Sequence, residues 1–144
     1  PKYVPLHNYK SHTPISLGKW EYTIKSDSDV VVLACGALMN DIAMKLYDEV
    51  GGFSIVNARF VKPLDSDMLD ELFDKKILTM EDNMLAGGFG SAVLEYYNSK
   101  DVMPKIKIKA VNDKNLPHAS MSELLDMCGF GIAQLKEDIK SLSK

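Results

Sequence analysis

The stretch ILTMEDNMLAGGFGSAVLEYY, residues 77–97, carries the strongest fold signal in the chain. It predicts a strand, an acidic loop, a glycine turn and a helix. Ile77 to Met80 is a short apolar run ending at Glu81 and Asp82, and beyond the loop a helical pattern starts near Ser91, with Val93, Tyr96 and Tyr97 on one face. Gly87, Gly88 and Gly90 stand between them. Glycine there allows positive φ and close backbone approach, which a strand needs in order to turn into a helix packed on its own sheet. A G-G-x-G turn also gathers free amides and the helix dipole, an arrangement that can receive phosphate. This turn lacks the Lys-Ser/Thr of a P-loop and the full dinucleotide fingerprint, and two carboxylates precede it. Close helix–sheet packing or an interdomain contact is the favoured expectation.

Outward from this unit the pattern repeats. Trp20, Tyr22 and Ile24 alternate with Glu21 and Thr23, as in a half-buried strand. Val30 to Cys35 reads VVVLAC without a polar break, as in a central strand covered on both faces. Gly36 ends it. Ile42, Ala43, Leu46, Tyr47 and Val50 follow helical spacing, and Gly51 and Gly52 close that helix. Phe53 to Ala58 is the next strand; Pro63 stops regular structure after it, and Asp65 is placed to cap a helix whose apolar face is Met68, Leu69, Leu72 and Phe73. Ile106, Ile108 and Ala110 alternate with Lys105, Lys107 and Lys109, which predicts an edge strand with one face in water. Ser120 and Glu123 form a capping box for a short helix ending at Gly129. Ile132, Leu135, Ile139 and Leu142 mark a last amphipathic helix.

Alternating strands and helices predict an α/β domain: a three-layer α/β/α sandwich on a mostly parallel sheet, with the Trp20 and Ile106 strands at its edges. With 144 residues the chain is one domain. Its first fourteen residues, PKYVPLHNYKSHTP, carry three prolines and no period, so residues 1–14 read as an interdomain connector and residues 15–144 as the domain. A net charge of −3 without a basic cluster argues against nucleic acid as partner. The apolar runs are of strand length and no signal peptide opens the chain, so no membrane association and a cytoplasmic location are expected. Cys35 and Cys128 are too far apart in sequence for a metal cluster or a disulfide framework, and both are expected to be buried free thiols.

The residues alone reveal no convincing nucleophile and base: there is no G-x-S-x-G, no paired histidine and no metal spacing. His118, after Leu116-Pro117, lacks a named partner, and a loop histidine of that kind is more often structural. Several motifs nonetheless occur in a distinctive order: Val56-Asn-Ala-Arg-Phe-Val-Lys-Pro-Leu-Asp65, then Glu81 and the loop to Gly87-Gly-Phe-Gly-Ser-Ala-Val-Leu-Glu95, then Leu116-Pro-His118, Glu123-Leu-Leu125 and Gly129. In order and spacing, from about Leu17 to the end, the chain resembles the C-terminal domain of the 1-deoxy-D-xylulose 5-phosphate synthase family, within the transketolase superfamily. A broader form of Arg59 to Asp65 occurs in transketolases and in 2-oxo acid dehydrogenase β subunits. A divergent transketolase, or a β-subunit docking module that helps bind a carrier protein, is therefore the alternative.

The resemblance implies a five-stranded mixed sheet whose first edge strand runs antiparallel. It also implies a parent enzyme, a thiamine-diphosphate-dependent transferase that uses Mg²⁺ and joins decarboxylated pyruvate to glyceraldehyde 3-phosphate in isoprenoid-precursor synthesis. The cofactor motif, catalytic histidine and activating glutamate of that family lie in its two preceding domains. The present chain is thus expected to bind no cofactor or metal, to be inert alone, and to support assembly and a homodimer of the parent. Pro1-Lys2 aligns with a family Pro-Arg whose arginine helps hold substrate phosphate, which makes Lys2 a candidate phosphate contact; lysine keeps the charge and loses the bidentate fork. Where the family has Leu-Pro-Asp followed by an aromatic segment and His-Gly, this chain has Val111-Asn-Asp113 and then Pro117-His118-Ala119.

The expected strand order places a topological switch between the Val30 and Ile77 strands, where α/β sheets open a crevice at the carboxyl ends. Gly36 to Met39 and Glu81 to Phe89 should line it. Met39, Met84, Leu85 and Phe89, with carboxylates and no basic residue, suit a protein surface better than a phosphate. The expected interdomain or dimer contacts are Gly36, Met39, Arg59, Lys62, Glu81, Asp82, Met84, Leu85, Phe89 and His118, with Arg59 as an ion-pair residue at the Glu81–Asp82 end of the sheet.

Overall fold

The computed structural model describes residues 14–102 and 104–144. In chain order the elements are β1 (Glu21–Ile24), β2 (Val30–Cys35), α1 (Ala37–Val50), β3 (Ser54–Asn57), α2 (Ser66–Glu71), β4 (Lys76–Met84), α3 (Phe89–Ser99), β5 (Lys105–Val111), α4 (Met121–Met127) and α5 (Ile132–Ser143). The strands form one sheet in the order β1-β3-β2-β4-β5, with β1 antiparallel to β3 and every other pair parallel. The edge and central assignments drawn from alternation hold.

Because successive side chains of a strand point to opposite faces, the unbroken run of β2 feeds two cores. Val30, Val32 and Ala34 pack with α1 and α5, through Met39, Ile42, Leu46, Leu135 and Ile139. Val31 and Leu33 pack on the other face with α2 and α3, through Leu69, Phe89, Val93 and Tyr97. A helix covers each face, so no polar residue is needed in that strand. Gly36, at φ 88°, lets the chain leave β2 and enter α1 without an intervening loop, a conformation that a side chain would strain. Asp65 caps α2 as expected, accepting from Met68 N at 3.2 Å; it also accepts from Trp20 N at 2.8 Å, tying the start of β1 to α2.

Four details depart from the sequence reading. β4 does not stop at Met80: after an irregularity its ladder with β5 resumes at Met84–Val111, and Leu85 N donates to Val111 O at 2.9 Å. Strand therefore continues to Met84: Glu81 pairs with Cys35 of β2, the chain bulges over Glu81 to Asn83 opposite Ala110, and Met84 returns to pair with Val111. The helix after the glycine turn starts at Phe89, two residues before Ser91. Phe73 is 56% exposed, because α2 ends at Glu71; Leu69 and Leu72 are buried in the core and Met68 packs against it half-buried. The lysine face of β5 is not left to water. α5 covers it, with Lys107 and Lys109 meeting the buried Asp138 at 2.6 and 2.8 Å, and Lys105 donating to Leu142 O at 3.2 Å.

Candidate functional site

The chain passes from β2 to β3 on one side and returns to β4 on the other, so the expected switch lies between β2 and β4. At its carboxyl end meet Gly36, the β4–α3 turn and the loop after β5. The turn is built around Glu81, which is 2% exposed. Its two oxygens accept from Phe89 N at 2.7 Å and Gly90 N at 2.8 Å, so one carboxylate occupies the amino end of α3 and meets its dipole. Gly88 and Gly90 are required by this closeness: a Cβ at Gly88 would run into Met84 O and lie 2.5 Å from Glu81 Oε2, and one at Gly90 would lie 2.6 Å from Ile108. Glu81 thus fills the place where a phosphate oxygen would sit. The described residues do not fit a diphosphate at this turn, and among them no three His, Cys, Asp or Glu side chains gather as metal ligands.

The remaining candidates divide by burial. Met39 and Phe89 lie inside the two cores at 0% and 1% exposure, because each sits on the sheet-facing side of its helix. With Glu81 they shape the site from beneath and present no surface, which corrects their expected place in a contact. Gly36, Asp82, Met84 and Leu85 are exposed, Met84 and Leu85 at 39% and 38%, on an arm held by Leu85 N and by Ser91 Oγ donating to Leu85 O at 2.8 Å. Lys62 and His118 are exposed on separate loops. Arg59 pairs with Glu21 of β1 and with neither Glu81 nor Asp82, since antiparallel pairing brings Glu21 beside Asn57. Lys2 lies outside the described residues.

Cys35, at the end of β2, is half-buried beside this site. Burial, and then the carboxylates of Glu81 and Asp82, push its thiol up to about 11. Asn40 closes the neighbouring corner: its Nδ2 donates to Ala34 O, Gly36 O and Asn57 Oδ1 at 3.1, 2.8 and 3.2 Å.

Motif reading passed over a groove of about 220 Å³ beside Asp82, walled by Leu38, Val111, Leu116, Met121 and Leu125. The signal for it was α4, whose seven residues MSELLDM hold four large apolar side chains on a helix too short to bury them; none of its residues is buried. No helix among the described residues is long and apolar enough to cross a membrane.

Residues 18–135 match the family model "Transketolase, C-terminal domain". The chain is 37% identical over 145 residues to a 1-deoxy-D-xylulose-5-phosphate synthase of Geobacillus thermodenitrificans, covering 96% of this chain and 22% of the relative. It is 33% identical over 146 residues to the synthase of that name from Aquifex aeolicus, covering 98% and 23%. The chain therefore spans about a fifth of the length of these curated relatives. A solved structure described as "Split gene transketolase, inactive beta4 tetramer" has the same fold, with a TM-score of 0.79 at 20% identity over 92% of this chain and 45% of that one.

Proposed function

The chain belongs to the transketolase C-terminal domain family, and from that premise we propose that it is the C-terminal part of a thiamine-diphosphate-dependent transferase of the 1-deoxy-D-xylulose-5-phosphate synthase kind. The observation that carries the reading is the extent of likeness: nearly the whole chain aligns with synthases at 33–37% identity, yet it accounts for only about a fifth of their length. In this reading the domain performs no chemistry alone. Its Glu81-clamped turn is closed to diphosphate, and its exposed arm of Asp82, Met84 and Leu85 with Gly36 packs against the preceding domains of the parent or its dimer mate. Pyruvate, glyceraldehyde 3-phosphate, thiamine diphosphate and Mg²⁺ are handled by those preceding domains, in a soluble cytoplasmic homodimer.

The experiment is reconstitution. The 144-residue chain is assayed for deoxyxylulose phosphate formation with pyruvate, glyceraldehyde 3-phosphate, thiamine diphosphate and Mg²⁺, alone and as part of the polypeptide encoded upstream. No product from the chain alone and synthase activity from the longer polypeptide are expected. An active isolated chain, or a longer polypeptide that uses a different acceptor, would overturn the assignment.

A further inference from the structure

The exposed arm at Met84 and Leu85 adjoins a second apolar surface. Between α4 and the start of α1 lies the groove walled by Leu38, Leu116, Met121 and Leu125, with Asp82 on its edge. Met121 is 64% exposed and Leu116 42%. A contiguous apolar surface with a polar rim marks a contact that the isolated domain leaves open, because each apolar Å² in water forfeits about 25 cal/mol. Asp82 is the one charged residue among the described residues that line the groove, and the segment 112–127, which supplies Leu116, Met121 and Leu125 to its walls, carries Asp113, Glu123 and Asp126 against Lys114 in sequence.

Two observations identify the occupant. Glu21 pairs with Asn57, at the carboxyl end of β3, so the polypeptide leading into the domain arrives at the same end of the sheet as the groove. The relatives carry more than three quarters of their length outside the matched region, which supplies the chain needed to fill it. A second copy of this domain suits the groove poorly: a two-fold contact through this face would set its carboxylates against their own images.

We propose that the groove seats an apolar side chain from the polypeptide that precedes the domain in the same chain, and that a basic residue beside that anchor meets Asp82. This rests on the reading of the chain as the C-terminal part of a longer enzyme, and it adds the chemistry of the contact. The acidic rim selects the partner segment by charge, while the Leu and Met walls accept its anchor.

Amide hydrogen exchange read by mass spectrometry compares the 144-residue chain with the full parent polypeptide, at low and high NaCl. Peptides covering 112–128 should exchange more slowly in the parent by about tenfold or more, with the difference shrinking in high salt. Met121→Asp, at a site exposed in the isolated domain, should abolish that protection in the parent and leave exchange in β2 and in residues 76–80 of β4 unchanged. Protection at 82–89 without protection at 112–128 overturns the groove assignment while the parent-enzyme reading stands. Protection at neither segment overturns the groove assignment and the packing of the exposed arm together, while the activity assay alone decides the parent-enzyme reading. Salt-insensitive protection overturns the basic partner, and protection lost on dilution to monomer assigns the occupant to a second chain and overturns the proposal.

Discussion

Glu81 shows how one side chain can settle a site. Its carboxylate holds the first two amides of α3 in a buried pocket, and Gly88 and Gly90 leave the space that allows it. Glu81→Ala would leave two buried donors unpaired at a helix terminus, and the expected loss is about 3 kcal/mol, read as a drop in the urea midpoint of the 144-residue chain. A loss below about 1 kcal/mol would mean that water replaces the carboxylate. Cys35 tests the electrostatics nearby. With its thiol pushed up to about 11, the thiolate fraction at pH 8 falls on the order of a hundredfold below that of an ordinary cysteine, so iodoacetamide should label Cys35 slowly at pH 8 and faster as pH rises towards 11. Rapid labelling of the folded chain at pH 8 would contradict the shift. The sequence displayed Glu81 and the glycines as neighbours of a turn. It could not display which amides the carboxylate takes, since that depends on how far β4 runs beside β5 before the turn begins.

α5 is the element where pattern and packing diverge. Its apolar stripe of Leu135, Ile139 and Leu142 was readable from spacing and is buried. Asp138 sits on the same side at 7% exposure and is met by Lys107 and Lys109 of β5, while Lys76 and Lys105 donate to carbonyls of its last turn. The carboxylate at mid-helix and the lysines at the carboxyl end both oppose the charge they face, which fixes α5 along β5. Breaking a buried pair costs about 3–5 kcal/mol, and partial exposure of both lysines reduces that, so Asp138→Ala should cost about 2 kcal/mol. The loss should persist in high salt if Lys109, the more buried lysine, carries it. A neutral Asp138→Ala would show the pair to be ornamental. The lysines of β5 looked like a wet edge because alternation reveals a polar face; it does not reveal that a helix from the far end of the chain brings a carboxylate to cover it.

For the molecule as a whole, the question is whether the carboxyl end of the sheet is a ligand crevice or a contact surface. The clamped α3 terminus and the exposed Met84, Leu85 and Met121 favour contact. Titration of the isolated chain with thiamine diphosphate and Mg²⁺ should leave the amide NMR shifts of Gly36 and Gly87 to Gly90 unchanged. Specific, saturable shifts there would mean a pocket and would reverse the docking reading.

The sequence by itself determined the fold class, the order of elements, which strands are central and which are edges, the caps at Asp65 and Ser120, and the family, because each is written in local spacing or in short motifs. Tertiary structure decided the rest. Met39 and Phe89 were placed inside the cores, Arg59 was paired with Glu21, β4 was extended to Met84, and an acid-edged groove was opened beside α4. Each of these depends on contacts between segments far apart in the chain, and periodicity along a single element carries no information about what a distant element brings to it.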